Sequence, residues 1–562
     1  MKTSKFLVLA LAIVMLCSSI GFAGAAGENL SAPGEYPIWT GDEPAVVTVL
    51  VEPLDYVTDW DDNAYTKKVE ELCNVDLQFV FLPATDASDK LNIMISTGEK
   101  LPDVVNKNLN SALEKSYADA GALINLQPYY ESGLGYNVSK AVEQFPEWNL
   151  LTNITSPDGS IYAVPRIQVS PSNETKYKMW VNEGWLTNLG MEAPTTTEEF
   201  YEMLKRFKEE DANGNGKTDD EIPFITSTGW GGTATKFLTN AFVFEGDGDM
   251  FLLKDGHVSV SYIQDGWFEA CDYLKKLCDE GLLAKESFTY SNTDLMAVAG
   301  TEENVVGVMT NSSLAFMGAG DDPYRLRYIC IAPLAGPEGV QYTAYSQSAT
   351  NGQWHVTSYA ENPELAFRVG DAQFCEEFFL AGRFGVENEN WMTAENYLSA
   401  NPSEVINARY EAMGYEGHYV FYNDVRGTPN NLNWYDPMPY FSGTVECEGA
   451  YVAKAADGTT MGLENNCTVR QETASGVYQL CKPSMDVYVP NLAYTEDELE
   501  EISESLATIK TYVNQQRTNY IIGEASDLAD KEKFLSNLQT SFNLDKILEI
   551  ADTAYQRQYA GK

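Results

Sequence analysis

The sequence is poor in histidine, which limits the chemistry that it supports. Its 562 residues contain three histidines, His257, His355 and His418, and no two of them are near enough in sequence to share one face of a helix. Neither an HExxH nor a GxSxG pattern occurs. Zinc sites commonly use histidine ligands, and Ser-His-Asp triads need a histidine base. The sequence therefore argues against a histidine-based zinc enzyme and a triad hydrolase, and we expect no catalytic residues.

Basic residues are few relative to acidic ones. The chain has 37 Lys and Arg against 82 Asp and Glu, which gives a formal net charge of −45. Nucleic acids and anionic membranes bind to basic protein surfaces, so we expect neither as a partner. The same negative field disfavours polyanionic ligands unless a local basic residue offsets it, and Arg166 is the candidate for such a residue.

Long apolar runs are missing after the N-terminus. No segment beyond residue 26 has the roughly 18 charge-free apolar residues of a membrane-spanning helix. At the N-terminus, Lys2 and Lys5 precede an apolar run of 11 residues, Phe6 to Leu16, and small residues follow at Ala23-Gly24-Ala25. This order is typical of a secretory signal peptide. It predicts that residues 1–26 are a leader and that the rest of the chain is exported.

Two other fates of the leader are alternatives. The leader could stay attached as a membrane anchor, because the weakly polar residues 18–26 could extend the apolar run. A lipid could instead be attached at Cys17, although Leu16 stands where a small residue is expected before a lipidated cysteine. The mature protein is therefore expected outside the cytoplasm, free or held at the membrane.

Cysteine is sparse for an exported chain of this length. Cys271 and Cys278 lie seven residues apart in a predicted helix, about 10.5 Å of rise, which is too far for a bridge between them. We expect most thiols to be buried and unpaired. If a disulfide forms, Cys447 with Cys467 or Cys481 is the first pair to examine. The cysteines after the leader are Cys73, Cys271, Cys278, Cys330, Cys375, Cys447, Cys467 and Cys481.

Strand and helix patterns alternate along the chain. A β-branched strand at 46–53 is followed by an amphipathic helix near 63–72, a second strand, a second helix and a third strand. This order predicts a doubly wound α/β sheet. A second α/β unit begins near residue 170, and its helix after Pro194 has Phe200, Met203, Leu204 and Phe207 on one face. A chain of this length is too long for one core, so we expect two lobes.

A loop after that helix has the spacing of a calcium-binding loop. It reads DANGNGKTDDE over residues 211–221. Oxygen-bearing side chains stand at positions 1, 3, 5 and 9, a glycine at position 6 permits the turn, and the carbonyl of position 7 is the further ligand. Position 12 is Ile222, so Asp220 or Glu221 must close the site. The alternative is a solvated Asn/Gly turn. The predicted ligands are Asp211, Asn213, Asn215, Lys217, Asp219 and Asp220.

Five tryptophans stand in polar or glycine-containing segments. A sugar ring has apolar C–H faces and a hydroxyl edge, and an indole flanked by amides and acids suits both. The alternative for each ring is packing beneath its own loop. The predicted ligand-binding residues are Trp60, Trp230, Trp354, Trp391, Trp434 and Arg166.

Several stretches together resemble a known family. They are KLNIMISTGEKLPDVV, the long block MWVNEGWLTNLGMEAPTTTEEFYEMLKRFKEEDANGNGKTDDEIPF, ENPELAFRVGDAQF, FGVENENW, TYVNQQRTNYIIGE and DKILEIADTAYQRQ. In these stretches the chain is similar to the family 1 extracellular solute-binding proteins, especially the branch that serves carbohydrate importers. The long block is the most specific part, because the helix and the Asn/Gly loop follow in fixed order.

The resemblance implies a fold, a metal and partners. It implies the type II periplasmic-binding-protein fold, in which each lobe is a doubly wound sheet flanked by helices and strands cross between the lobes. The expected N-terminal lobe is 27–165 plus 340–440, and the expected C-terminal lobe is 166–339 plus 441–562. The family also implies Ca²⁺ in the 211–221 loop, as in alginate-binding relatives, and the transmembrane subunits of an ABC permease as partners of a monomer.

The expected function is capture of an oligosaccharide in a cleft that closes about a hinge. The charge of −45 favours a neutral sugar over a uronate polymer. An exported carbohydrate-active enzyme, a peptide-binding receptor and a surface adhesin are the alternatives. An enzyme would need two acids at a fixed separation in the cleft.

Overall fold

The computed structural model describes residues 29–318, 321–348, 350–422, 429–454 and 466–560. The predicted leader at 1–26, with Cys17, lies outside these residues. No helix in the described ranges is both long and apolar enough to span a bilayer. The eight cysteines at 73–481 are described, and all are free thiols, so the Cys447 pairing is not formed in this structure.

The strands are short and spread along the chain. They are β1 Ala45–Val51, β2 Val75–Phe81, β3 Val104–Leu109, β4 Val164–Ile167, β5 Met179–Asn182, β6 Ile222–Phe224, β7 Phe251–Lys254, β8 His257–Val260, β9 Val306–Thr310, β10 Tyr328–Ile331, β11 Thr350–Val356, β12 Trp391–Thr393, β13 Val405–Ala408, β14 Tyr419–Phe421, β15 Tyr440–Phe441 and β16 Gly449–Lys454.

Helices fill the intervals and the C-terminal part. They are α1 Ala64–Cys73, α2 Ala87–Ser96, α3 Ser111–Asp119, α4 Gln127–Glu131, α5 Tyr136–Gln144, α6 Leu150–Ile154, α7 Pro171–Glu174, α8 Glu183–Leu189, α9 Thr197–Glu209, α10 Ala234–Thr239, α11 Asp265–Asp279, α12 Asn292–Ala299, α13 Pro363–Ala372, α14 Glu376–Phe384, α15 Ala394–Ala400, α16 Cys467–Leu480, α17 Glu496–Ile522, α18 Lys531–Thr540 and α19 Leu544–Tyr559.

The first lobe is built on a six-stranded sheet in the order β15-β4-β11-β3-β1-β2. Strand β1 is parallel to β2 and β3, whereas β11 is antiparallel to both β3 and β4. Strands β1 to β4 therefore point the same way, and their carboxyl ends meet at one edge of the sheet. Ligands of open α/β sheets bind at such an edge.

The second lobe is built on a four-stranded sheet in the order β10-β5-β9-β6. Its clearest helix is α9, which begins with a capping box between Thr196 and Glu199. The four apolar residues predicted for its inner face are all fully buried. Helix α17 packs along α11, and α19 packs against α17 and β8, so the C-terminal helices belong to this lobe.

Two separate apolar cores support the division into lobes. One contains Val49, Val104 and Trp354 of the six-stranded sheet, and also Trp391 and Cys447 near the small sheet β12-β14-β16-β13. Another contains residues of β5, β9 and α9. The mixed α/β sheets match the expected fold class. The expected boundary at 165/166 falls within β4, which stays in the first sheet up to Ile167.

Chain segments cross between the lobes. Residues 168–178 run from β4 to β5, and residues 332–349 run from β10 to β11. The third passage, from β16 to α16, includes residues 455–465, which lie outside the described ranges. Helix α7 is part of the first crossing, so its residues are placed where the lobes are joined.

Candidate functional site: a cavity between the lobes

A cavity of about 320 Å³ lies between the lobes, and we call it the inter-lobe cavity. The first lobe contributes Asn110, Glu114 and Asn351, which lie at or just beyond the ends of β3 and β11. The second lobe contributes the 244–251 loop and residues 488–494. The cavity is therefore at the sheet edge where the topology favours a ligand, and its volume is in the range of small-molecule sites.

The first-lobe wall is held by helix α3 and strand β11. The Asn110 side chain accepts a hydrogen bond from the Leu113 N–H at 2.9 Å and so caps α3. Glu114 is in the first turn of α3, is 1% exposed, and has Oε1 2.9 Å from His355 Nε2. His355 Nδ1 is 3.1 Å from the carbonyl oxygen of Val105 on β3. This wall therefore carries a buried carboxylate in a fixed orientation.

The second-lobe wall carries the carboxylate of Asp247. Its oxygens accept hydrogen bonds from Lys176 Nζ and from the Tyr177 hydroxyl. Burial would raise the pKa of Asp247, but these two donors outweigh it and hold the pKa below its usual value. Asp247 is therefore ionised at neutral pH, and both of its oxygens already have protein partners.

The loop that carries Asp247 is anchored by the buried Glu245. Glu245 is fully buried, and its carboxylate lies 2.9 Å from Lys236 Nζ and 2.9 Å from Arg517 Nη1. The indole N–H of Trp267 donates to the same carboxylate at 2.8 Å. Burial alone would raise the pKa of Glu245, but the two cations outweigh it and lower the pKa to about 2.

A second cavity of about 530 Å³ contains Trp230, and we call it the Trp230 cavity. Asp247, Gly248 and Met250 line both cavities. Trp230 is 55% exposed, in a loop at the carboxyl end of β6. The Lys176 ammonium lies 5.7 Å from the centre of its ring. Trp230 is thus a predicted ligand-binding ring that the structure leaves accessible.

The other four predicted tryptophans are in the first-lobe core. Trp354 and Trp434 are fully buried and donate to the carbonyl oxygen of Ala366 and the hydroxyl of Thr66. Trp60 is 7% exposed and stacks on Trp434 at a centroid distance of 5.8 Å. Trp391 is 8% exposed.

A ring buried to this extent has no face to offer a sugar. The structure therefore corrects the expectation for Trp60, Trp354, Trp391 and Trp434, whose rings pack in the first-lobe core. The indole N–H groups of Trp354 and Trp391 donate to the backbone carbonyls of Ala366 and Gly385, so the neighbouring polar residues in the sequence do not indicate a ligand site there.

Arg166 lies on β4 in the first lobe, about a fifth exposed. Its guanidinium is 3.8 Å from Asp436 and 5.1 Å from the ring centre of Tyr440. Arg166 does not line either cavity. In this arrangement its charge is offset by Asp436.

Glu174 joins the segments that cross between the lobes. It is 4% exposed and lies at the end of α7 in the first crossing. Its Oε1 accepts from Ser348 N and Oγ of the second crossing at 3.0 and 2.8 Å. Its Oε2 accepts from Gln479 Nε2 of α16 at 2.9 Å. Burial outweighs these bonds and raises the pKa of Glu174.

The predicted calcium loop is closed by its own side chains. Asp211 Oδ2 accepts from the Gly216 N–H at 2.8 Å, and Gly216 has a φ of +88°, which favours glycine. The side chain of Asn215 donates to Asp220 Oδ2 at 2.8 Å. Asn213 Nδ2 is 3.5 Å from Asp220 Oδ1. Asp211, Asn213, Asn215 and Asp220 therefore converge, while Asp219 is exposed on the same loop.

Two buried oxygens in this loop fit a cation. Asp211 Oδ1 and Glu221 Oε2 are enclosed and accept no hydrogen bond from the described residues. Across the described ranges, no group of three or more His, Cys, Asp or Glu side chains is placed to hold a metal. A cation here would therefore need amide and backbone oxygens as well, which Ca²⁺ accepts. Glu221, whose other oxygen accepts from the Ala212 N–H, competes with Asp220 as the closing acid.

The fold and the cavity together define a two-lobed binding protein. Residues 57–368 match the family described as bacterial extracellular solute-binding protein. This match spans more than half of the chain, and the chain belongs to that family. The expected resemblance and the type II two-lobed fold are thereby confirmed.

Individual relatives extend the comparison over the whole chain. The fructooligosaccharide ABC transporter substrate-binding protein FusA of Streptococcus pneumoniae is 25% identical over 574 residues, which cover 100% of this chain and 98% of FusA. An oligosaccharide-binding (HMO) solute-binding protein of Bifidobacterium longum infantis has a TM-score of 0.70 at 19% identity, covering 93% of this chain and all of that one. A FusA EF-hand mutant in complex with fructo-nystose has a TM-score of 0.62 at 21% identity, covering 92% and 100%.

Sequence reasoning missed most residues of the cavity walls. Asn110, Glu114 and Asp247 have no motif around them, because they come from β3, α3 and a loop far apart in sequence. The one available signal was position, since a third strand was predicted in this region and Asn110 directly follows β3. Residues at the carboxyl ends of parallel strands are the usual place for ligand contacts.

Proposed function

We propose that this protein captures an oligosaccharide between its two lobes and delivers it to an ABC importer. The observation that carries the proposal is the inter-lobe cavity, whose walls come from both lobes. Family membership and the full-length similarity to a fructooligosaccharide-binding relative support it. The protein acts by binding alone, since the relatives are substrate-binding proteins rather than enzymes.

The chemistry of the walls suits a sugar. The inter-lobe cavity has the amides of Asn110, Asn153 and Asn351 on one side and the rings of Tyr488 and Tyr494 on the other. Amide groups both donate to and accept from hydroxyls, and aromatic faces pack on the C–H faces of sugar rings. Trp230 extends this surface into the adjoining Trp230 cavity, where it is the exposed ring.

Binding proceeds by closure about the crossing segments. A ligand that contacts both walls favours the conformation in which the walls are close together, so its binding shifts the population of the two-lobed protein. The hydrogen bonds from Ser348 to Glu174 join the two crossing segments and therefore limit how the lobes move. The permease subunits then recognise the closed form, and the protein acts as a monomer.

The 211–221 loop holds Ca²⁺ in a structural role. The two unpartnered oxygens of Asp211 and Glu221 and the convergent Asn213 and Asn215 support this proposal. The FusA structure described as an EF-hand mutant supports it further. The ion neutralises the enclosed carboxylates and stiffens the loop between α9 and β6, and it takes no part in chemistry.

The protein works outside the cytoplasm. Its membership of an extracellular family supports export, and the secretory pattern at residues 1–26 supports the route, with anchoring at Cys17 or through a retained leader as the two ways of staying at the membrane. Intact-mass measurement of the protein from its host distinguishes the three forms, because a cleaved, a lipidated and a retained leader differ in mass.

Calorimetric titration of the purified protein with fructo-nystose and with a human-milk-type neutral oligosaccharide tests the proposed function. We expect a saturable 1:1 isotherm for at least one of them and no product by chromatography after overnight incubation. Cleaved glycan would instead support the enzyme alternative. A flat response to every neutral oligosaccharide, with a response to peptides, would contradict the proposal.

A further inference from the structure

The carboxylate of Glu114, in the wall of the inter-lobe cavity, has one oxygen without a hydrogen-bond partner among the described residues. Glu114 lines this cavity although it is only 1% exposed. Its Oε1 is 2.9 Å from His355 Nε2. Its other oxygen, Oε2, accepts no hydrogen bond from any residue in the described ranges. A carboxylate oxygen on a cavity wall without a protein partner is the acceptor that remains for a ligand.

Counting hydrogens shows that Oε2 is an acceptor whenever one proton is shared between Nε2 and Oε1. His355 Nδ1 is 3.1 Å from the Val105 carbonyl, which only accepts, so Nδ1 carries a hydrogen. The contact between Nε2 and Oε1 then contains one shared proton. Either an imidazolium donates it to a carboxylate, or a carboxylic acid donates it from Oε1 to a neutral imidazole. In both arrangements Oε2 has no proton and accepts.

The surrounding backbone fixes this oxygen in place. Asn110 caps the first turn of α3, and His355 is paired with Val105 across β11 and β3. A Cβ atom at Gly352 would lie 1.6 Å from Glu114 Oε1. Gly352 therefore leaves the space that the carboxylate occupies, and a larger residue there must push it away. An acceptor held in this way needs little reorganisation when a ligand binds.

We propose that Glu114 determines the class of ligand by presenting Oε2 as a fixed acceptor for a sugar hydroxyl. This inference rests on the proposed function and adds the residue that selects a neutral oligosaccharide. A hydroxyl donates to Oε2, whereas a uronate carboxylate at the same place brings an acceptor against an acceptor. Asp247 is less suited to make this distinction, because each of its oxygens already accepts a hydrogen bond, from Lys176 or from Tyr177.

Two substitutions at Glu114 separate the acceptor from the charge. E114M keeps the length of the side chain and removes the acceptor. E114Q removes the charge but keeps the acceptor, because its amide N–H donates to His355 Nε2 and its carbonyl oxygen takes the position of Oε2. D119N, an exposed residue of the same helix that pairs with Lys115, is the matched control.

Titration calorimetry with fructo-nystose is the measurement. E114M is expected to raise the dissociation constant about tenfold. A loss of this size corresponds to one lost hydrogen bond to this acceptor. E114Q and D119N are expected to stay within about threefold of the parent protein. G352A leaves Glu114 in the chain but displaces it, so it is also expected to weaken binding, and it keeps the test available if E114M does not fold.

Equal affinities of E114M and the parent protein, at equal melting temperature, would overturn the inference, and so would an equal loss in E114M and E114Q. A titration with trigalacturonate provides the second readout. The parent protein is expected to bind fructo-nystose more than tenfold more tightly than trigalacturonate. E114M is expected to reduce this ratio of the two affinities. If the parent protein binds no neutral oligosaccharide, the proposed function itself fails, and this is seen before any variant is made.

Discussion

Arg517 Nη1 lies 2.9 and 3.1 Å from the two carboxylate oxygens of Glu245, and both side chains are buried. Arg517 is on α17, near the C-terminus, whereas Glu245 begins the loop that lines both cavities. Helix α17 therefore holds this loop, and its Asn514 and Arg517 themselves line the Trp230 cavity. Helix α17 is joined to the Glu245 loop by this ion pair and not by apolar contacts alone.

R517M is expected to destabilise the second lobe by about 3–5 kcal/mol, because it leaves the buried carboxylate of Glu245 short of a partner. Urea unfolding measures the change. K510M on the same helix removes the half-exposed pair with Asp249 and is expected to cost about 1 kcal/mol or less. Equal effects of the two variants would contradict the importance of the buried pair.

The Glu245 pair also predicts a dependence of stability on pH. The pKa of Glu245 is lowered to about 2 in the folded protein, whereas the ordinary pKa of a glutamate side chain is 4.5. Its contribution to the free energy of unfolding is therefore complete above pH 4.5 and is lost as the pH falls toward 2. At pH 3.5 the destabilisation caused by E245Q should be smaller than at pH 6, by roughly 1 kcal/mol. A difference that does not change over this range would contradict the low pKa.

Trp230 and Trp391 make a matched pair of tryptophans. W230A is expected to weaken oligosaccharide binding about tenfold with little change in melting temperature, because the ring is 55% exposed. W391A should do the reverse, lowering stability by about 3–5 kcal/mol through a core cavity. Calorimetry and thermal melting together check both variants. Unchanged affinity in W230A would exclude this ring from the ligand contacts.

Glu174 is expected to restrict the movement of the lobes. E174Q replaces one carboxylate oxygen, which accepts from Ser348 or Gln479, by an amide NH2 group. A donor then faces a donor, which we expect to lower the stability of the joined crossings by about 1–3 kcal/mol. We expect a larger radius of gyration for the unliganded protein by small-angle scattering, with the liganded form unchanged. E183Q, whose partner Arg470 is 3.6 Å away at the surface, is the control.

Calcium is expected to raise the melting temperature of the protein relative to EDTA. An ion present at about 100 times its dissociation constant stabilises the folded form by about 2.7 kcal/mol. D211N should abolish this response, because Asp211 supplies an enclosed, unpartnered oxygen. E209Q, at the end of α9 outside the loop, should retain it. A calcium response that survives in D211N would contradict the site.

The elements of the fold follow local rules, and this is why the sequence predicted them. The strand predicted at 46–53 is β1, and the helix after Pro194 is α9 with the predicted inner face, because alternation and capping act over a few residues. The loop at 211–221 could be proposed as a calcium site from sequence because all its predicted ligands fall within eleven residues.

The sequence by itself determined two α/β lobes, a strongly acidic surface and a compact loop with calcium-ligand spacing. Only the tertiary structure decided which indole rings are accessible. Of five tryptophans in similar polar segments, four lie in the first-lobe core and Trp230 lines the Trp230 cavity. The tertiary structure alone brought Glu114, His355 and Gly352 together, and tied Glu245 to Arg517 across 272 positions. The physical reason is that burial and long-range hydrogen bonds depend on how lobes pack, which no local pattern encodes.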